Sequence, residues 1–318
     1  MTKLRTYQTR AGWLRERTEF VGASESASIL GVGYDSELAV YERKINPTDE
    51  EPTDAQWIGL HLESAIASIF HRVTGKTAKL NSYGDGYQVY EHSEHPWLRA
   101  TLDAEIVEEE AVLELKNVGA YNASEWSDDQ VPLRFQVQLQ HQMLVRGWDH
   151  GYLGALVGGN TPLVRHVEAD PDFQRALLDR LRDFWGRVER RDPPDADHTE
   201  SCTKLLRRLH PNDNGQAAWV DLDGAEVEAL LAAKSDRKEA DARIRALENR
   251  IRQQIGDASY GVAEDGSVWS WLTSDRKEFT VAASTNRTLR TRKTLPSSVA
   301  LPYGNPRIRP ITPHLETT

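Results

Sequence analysis

The 318-residue chain contains a single cysteine, Cys202, and only two methionines. One thiol excludes an internal disulfide and any zinc or iron–sulfur centre built from several cysteines. Long apolar runs are also missing: no stretch approaches the roughly 20 residues that span a bilayer. The basic N-terminus has no apolar segment behind it, so no secretory signal is expected. These absences argue against a membrane protein and a disulfide scaffold, and the expected compartment is the cytoplasm. An overall basic charge is lacking too, since the net charge is −10. The cations that exist are placed unevenly. Residues 1–17 carry five against one anion, and residues 275–318 carry eight against three. Local potential rather than net charge governs nucleic-acid binding, so this distribution permits a DNA-binding function without arguing for one.

Apolar spacing organises the rest. Ile58, Leu62, Ala65, Ile66, Ile69, Phe70 and Val73 recur at three and four residues and predict a helix over 54–74. A loop rich in Gly, Asp, His and Pro is expected from there to about residue 97. Residues 98–117 read as a β-hairpin whose arms meet at the acidic turn Glu108 to Glu110. In the second arm Leu113 and Leu115 face one way, while Glu114 and Lys116 face the other. Pro132 opens a further helix that Gly147 ends. Residues 151–169 pair as two strands around Gly158-Gly159-Asn160, and 171–190 form a third helix. The fold class is therefore α/β or α+β, a central mixed sheet flanked by helices.

Asp192-Pro193-Pro194-Asp195 closes that core, giving a first domain at 1–195 and a C-terminal extension at 196–318. Within the extension, 224–255 reads as a long charged helix with the stripe Val227, Leu230, Leu231, Ile244, Leu247, Ile251 and Ile255. It suits a helical hairpin or short coiled coil, serving packing, oligomerisation or a partner protein. Short strands at 258–282 and a basic, Pro-rich, loosely ordered tail follow.

Hydrolysis of a phosphodiester at neutral pH calls for a divalent cation held by hard oxygen ligands. A β-hairpin can fix two carboxylates on one rigid surface. Asp103 on the first arm and Glu114 on the second, with Lys116 two residues further along the same face, meet that need, and the backbone carbonyl of Leu115 can supply another ligand. Lys116 would orient or deprotonate the attacking water or balance phosphate charge. Spacing alone also describes a solvated sheet face. The apolar pair Val112-Leu113 ahead of Glu114 instead marks a strand entering the core. His92, Glu94 and His95 read as a solvated loop rather than a zinc site, and Trp269 and Trp271 as strand-packing residues rather than base-stacking platforms.

Five segments in one order carry a resemblance over residues 13–190. They are Trp13 and Arg17 with Val21-Gly22-Ala23-Ser24-Glu25-Ser26-Ala27-Ser28-Ile29-Leu30-Gly31; Gly59-Leu60-His61-Leu62-Glu63; His95-Pro96-Trp97-Leu98-Arg99-Ala100-Thr101-Leu102-Asp103; Leu113-Glu114-Leu115-Lys116; and Gln138-Leu139-Gln140-His141-Gln142-Met143. In these the chain resembles the YqaJ-type viral recombinases, phage alkaline exonucleases related to the lambda exonuclease in the PD-(D/E)xK nuclease superfamily. The resemblance implies a restriction-endonuclease-like core with Asp103, Glu114 and Lys116 as catalytic residues. It implies Glu63, Asp103, Glu114 and the Leu115 carbonyl as holders of two Mg2+ ions, which Mn2+ could replace. It also implies a pocket for a 5′-terminal phosphate from Arg17, Ser24, Thr101 and Gln138. Ser24 is read as opening a short helix, where it could cap the N-terminus.

The family commonly has Ser-Pro-Asp-Gly about its aspartate, and Thr101-Leu102-Asp103-Ala104 stands here, which predicts a more regular strand. The implied activity is a 5′-to-3′ exonuclease on linear duplex DNA that leaves 3′ single-stranded tails for phage or prophage recombination. The implied partners are duplex DNA ends, a single-strand annealing recombinase and further copies of the chain in a ring, with no membrane involved. An endonuclease on the same fold and a catalytically inactive DNA-binding or adaptor protein are the alternatives.

Overall fold

A computed structural model describes residues 2–47, 52–81, 86–126, 130–218, 223–275, 289 and 298–299. The chain divides into two compact units, Met1–Leu209 and His210–Thr318.

The first unit holds two sheets. The larger has five strands in the order β3 (Ala78–Leu80), β6 (Ala104–Ile106), β7 (Ala111–Val118), β8 (His150–Val157) and β9 (Thr161–Glu168). Only the central pair β7–β8 is parallel; the outer pairings are antiparallel. The smaller sheet has four strands in the order β1 (Lys3–Tyr7), β4 (Tyr87–Glu91), β5 (Leu98–Ala100) and β2 (Val21–Gly22). Among the described residues of the unit the α-helices are α1 (Arg10–Glu16), α2 (Ala23–Ile29), α3 (Glu37–Ile45), α4 (Asp54–Thr74), α5 (Leu133–Arg146), α6 (Pro171–Arg190) and α7 (Glu200–Leu209). Among the described residues no helix is long and apolar enough to cross a membrane.

The helix ends follow local chemistry. Thr53 caps α4 by accepting from the Gln56 N–H, and the Gln56 side chain accepts in return from the Thr53 N–H. Gly75, at φ 75°, ends α4 in the left-handed conformation. Asp170 caps α6 through the N–H groups of Asp172 and Phe173, with Pro171 as the first helical residue.

β7 is covered on both faces. Leu113 and Leu115 pack with Ile66, Ala67 and Phe70 of α4. Val112 packs with Val137 and Leu139 of α5. Each fully buried side chain of this kind contributes about 1.5–3 kcal/mol, so α4 and α5 clamp the strand that carries Glu114. Close passage of β8 is needed as well: a Cβ at Gly151 would lie 2.5 Å from Val112 Cγ2.

Several expectations need correction. The segment between α4 and residue 97 contains β3 and β4 rather than one continuous loop. The first arm of the hairpin is two strands: β5 joins the small sheet and β6 the large one, and Asp103 lies in the bend between them. The Asn81 N–H donates to the Asp103 carbonyl at 3.0 Å and its Nδ2 to the Leu102 carbonyl at 2.9 Å. With Leu102 buried beneath, that fastening holds the bend without the proline and glycine of the family pattern. The apolar stripe of α4 is only partly used, with Ile58 and Val73 exposed. The first unit also runs beyond residue 195. Cys202 and Leu205 bury one face of α7, and the Ser201 hydroxyl donates to Asp35 at 3.1 Å.

The second unit contains α8 (Gly224–Ile255) and a hairpin of β10 (Tyr260–Val262) with β11 (Val268–Ser270). Trp269 and Trp271 are about half exposed rather than packed as a core. The strands expected beyond residue 275, and nearly all of the basic tail, lie outside the described residues.

Candidate active site

Glu114 sits in the middle of β7, with β6 and β8 on either side, and its side chain is buried. Burying a carboxylate is costly unless hydrogen-bond donors replace its water. Three are supplied here. Lys116 Nζ and Gln138 Nε2, the latter at 2.6 Å, donate to Oε1, while Gln142 Nε2 donates to Oε2 at 2.6 Å. Gln138 and Gln142 are four residues apart on α5, hence on one helix face. The same Gln142 amide donates to the Thr101 carbonyl at 3.3 Å and so ties α5 to the chain entering the Asp103 bend.

Asp103 reaches the next residue of the strand. Its Oδ2 accepts from the Leu115 N–H at 2.8 Å. The paired stretch of β6 and β7 stops at Ala104 opposite Leu113, so the Leu115 amide lies past it and Asp103 takes the free position. The N–H and C=O of one strand residue project to the same side. The Leu115 carbonyl therefore faces the Asp103 edge.

Charge here is unbalanced. Burial pushes the Asp103 carboxyl well above the usual carboxylate range, and the nearby Glu114 and Glu63 add to the shift. Glu63, on α4, is pushed up to about 7 by burial and then by Glu114. Burial works against the charge of Lys116, yet Glu114 and Asp103 outweigh it and hold its ammonium above the ordinary value. Lys116 remains 24% exposed and lies 5.2 Å from the centre of the Phe135 ring. One cation thus serves three carboxyls.

The donor set suits a hard divalent cation. Magnesium takes one or two carboxylates with water and phosphate completing the shell, and a divalent charge would offset the crowding that raises Asp103 and Glu63. Gln142 Oε1 is a further observation in favour: it is a buried oxygen without a hydrogen-bond partner, on the amide bonded to Glu114. The fit concerns Asp103, Glu114 and the Leu115 carbonyl. Among the described residues no three His, Cys, Asp or Glu side chains come together as a ready metal-holding group, and Glu63 stands as a neighbouring carboxyl that raises Asp103. Glu114 instead turns its oxygens to donors. The space beside Glu63 is open, with nothing within 4 Å of a Cβ built at Gly59.

The four residues assigned to a phosphate pocket divide into two pairs. Arg17 Nη2 donates to Ser24 Oγ at 3.2 Å and to Glu25 Oε1 at 3.4 Å, and the guanidinium lies 5.0 Å from the centre of the Trp13 ring. Gln138 instead serves Glu114, and Thr101 meets Gln142. The buried charge of Glu114 takes the Gln138 amide. Ser24 does not cap its helix: Gly22 is the cap residue, and its N–H donates to Glu25 Oε2 at 2.9 Å.

Residues the sequence reading passed over hold these pieces together. Lys44 Nζ donates to both oxygens of Glu25, at 2.9 and 2.7 Å, and to the Arg17 carbonyl at 2.6 Å. Burial disfavours the Glu25 charge, but Lys44 and then Arg17 outweigh it and bring the carboxyl down to about 2. Burial pushes Lys44 down to about 8. Its signal was in the sequence, since Lys44 falls in helical phase with the buried Val40 and Tyr41. His141, fully buried, joins α2 to β5. Its Nε2 lies 3.0 Å from the Arg99 carbonyl and must donate there, so Nδ1, 2.5 Å from Ser26 Oγ, accepts the hydroxyl. Burial pushes the ring down to about 4. The i, i+4 pair Gln138 and Gln142 was likewise visible. His92 turns out to be a loop cap, its Nδ1 accepting from the N–H groups of Glu94 and His95.

Residues 12–149 match the model of the YqaJ-like viral recombinase domain. The chain is 28% identical over 278 residues to the uncharacterized protein YqaJ of Bacillus subtilis (strain 168), covering 84% of this chain and 85% of that protein. Its fold is similar to an alkaline exonuclease (LHK-Exo) from Laribacter hongkongensis, with a TM-score of 0.47, 15% identity, and coverage of 63% of this chain and 97% of that one. It is also similar to a phage related exonuclease from Haemophilus somnus, with a TM-score of 0.39, 10% identity, and coverage of 60% and 96%.

Proposed function

We propose, from the premise that residues 12–149 belong to the YqaJ-like viral recombinase domain family, that the chain is a phage-type nuclease of the PD-(D/E)xK kind. In its finer form the reading is a metal-dependent 5′-to-3′ exonuclease on linear duplex DNA. The observation that carries it is the joining of Asp103 to the Leu115 amide beside the Glu114–Lys116 pair, on a strand clamped from both faces. Asp103, Glu114 and the Leu115 carbonyl would hold Mg2+ or Mn2+, which when bound supplies Lewis-acid charge and acidifies water. Lys116, beside those ligands and partly open to solvent, orients the attacking water and balances charge on the phosphate. Gln138 and Gln142 keep Glu114 aimed within the sheet by donating to its two oxygens. Arg17 presents a planar fork to the terminal 5′-phosphate with Ser24 next to it. The 3′ single strand left behind would pass to an annealing recombinase, with copies of the chain arranged about the duplex.

Digestion of end-labelled linear duplex carrying 5′-phosphate or 5′-hydroxyl, alongside covalently closed circles, tests this reading in the presence of magnesium. Rapid loss of the phosphorylated duplex and intact circles are expected. Arg17→Lys keeps the charge beside Glu25 but loses the fork, so preference for phosphate should fall about tenfold. Circles cut as fast as linear DNA would move the assignment to an endonuclease.

A further inference from the structure

The second unit presents a long helix with an exposed apolar stripe among the described residues. α8 runs for 32 residues and buries none of them. Val227, Leu230, Leu231, Ile244 and Leu247 are all exposed. Its local packing is at one end, where Ile255 Cγ1 would lie 2.8 Å from a Cβ at Gly261 of β10. Helices draw most of their stability from packing an apolar face, and the stripe of this one is left exposed by the described residues.

A heptad supplies the face. Every seventh residue from Leu230 gives Leu230, Arg237, Ile244 and Ile251, and three residues after each stand Ala233, Ala240, Leu247 and Gln254. These are core positions of a two-stranded coiled coil. Charge then chooses the direction. Parallel pairing of two copies would set Arg237 against Arg237 in the core and Asp236 beside Asp241 of the other copy. Antiparallel pairing faces Arg237 with Leu247 of the second copy, and puts Ile244 over Ala240 and Ile251 over Ala233, large on small. It also brings Asp236 to Arg250, twice by symmetry. Near the twofold axis Arg243 and Asp241 each meet their own copy; these flanking contacts, like Asp236 with Arg250, weigh little, and the direction is decided by the core, where parallel pairing would bury Arg237 against Arg237.

We infer that α8 is a dimerisation element, pairing antiparallel with α8 of a second copy of this chain. Disulfide trapping in the full-length protein tests both the contact and its direction. Cys202 is buried, so the unaltered chain is the background control. Ala233→Cys and Ile251→Cys chains are purified separately, mixed and mildly oxidised. The mixture should yield a cross-linked pair of unlike chains at least about tenfold above either variant alone. Equal cross-linking by each variant alone would indicate parallel pairing and overturn the inference, as would a mixture no better than background. As a second readout, Asp236→Arg in the trapping pair should lower the yield several-fold, and adding Arg250→Asp should restore it. A double variant as weak as the single would equally overturn the proposed register. Far-UV circular dichroism checks that the helix persists in every variant.

Discussion

Two clusters in the first unit each join a lysine to a buried glutamate, and they are balanced in opposite ways. Around Glu25 two cations, Lys44 and Arg17, serve one carboxylate, whose pKa is brought down to about 2. Around Glu114 a single ammonium, Lys116, serves three carboxyls, and Asp103 and Glu63 are pushed upward. The same residue types make scaffold in one place and a candidate site in the other. Surplus negative charge that the protein does not neutralise distinguishes the site, because it leaves a role for a cation from outside.

Removing the central carboxylate from each cluster should break opposite properties. Glu114→Gln keeps shape and hydrogen bonding but deletes a charge the site has in surplus. Nuclease activity on linear duplex should fall roughly 10⁴-fold, while the thermal midpoint stays level or rises. Activity retained within tenfold would remove Glu114 from the chemistry. In the other cluster Glu25→Gln strands Lys44 as a buried charge and should cost about 4 kcal/mol in denaturant unfolding. The double variant Glu25→Leu with Lys44→Met should recover most of that loss. If the double variant is as unstable as the single, the pair is more than a balanced scaffold.

The dependence of stability on pH sharpens the contrast, because the two clusters carry opposite signs. Glu25 has its folded pKa below the ordinary 4.5, so its contribution of about 3 kcal/mol is present above pH 4.5 and lost as pH falls toward 2. His141, neutral when buried, adds a contribution of the same sign, full above pH 6.5 and lost as pH falls toward 4. Glu63 runs the other way. Its raised value favours the protonated carboxyl, so that contribution is full below pH 4.5 and is lost as pH rises through about 7. Unfolding measured with a chelator present should show Glu63→Gln removing the fall in stability that this carboxyl imposes as pH rises from 4.5 to about 7. Glu25→Gln and His141→Asn should each flatten the acid limb only. A Glu63 variant that alters the acid limb instead would contradict the assignment of surplus negative charge.

Much of the architecture could be read from local pattern. The helix α4 begins and ends where Thr53, Gln56 and Gly75 place its caps, and α6 follows its Asp170-Pro171 start. The face alternation of Leu113, Glu114, Leu115 and Lys116 held because β7 is long and central. The small sheet was not legible. Its strands have two to five residues, and the shortest, Val21–Gly22, is too brief for any alternation to register. The break at Asp103 was hidden for a related reason: Asn81, more than twenty residues earlier, fixes the bend. Gln142 carried a readable helical spacing with Gln138, but only the fold showed that both amides end on one carboxylate.

By itself the sequence determined the long helices, the alternating faces of β7 and the residue types offered as candidates for chemistry, because caps, periodicity and residue type are local properties. Tertiary structure decided that Glu114 is satisfied by α5, that Gln138 stands with Glu114 rather than with Arg17, and that Glu25 belongs to the scaffold. Those outcomes depend on burial and on how many cations face each carboxylate, and both are set by segments distant in the chain. Asp103 shows the division well: its identity was readable, but its bend and its raised affinity for a proton arise only where Asn81, Glu63 and β7 meet.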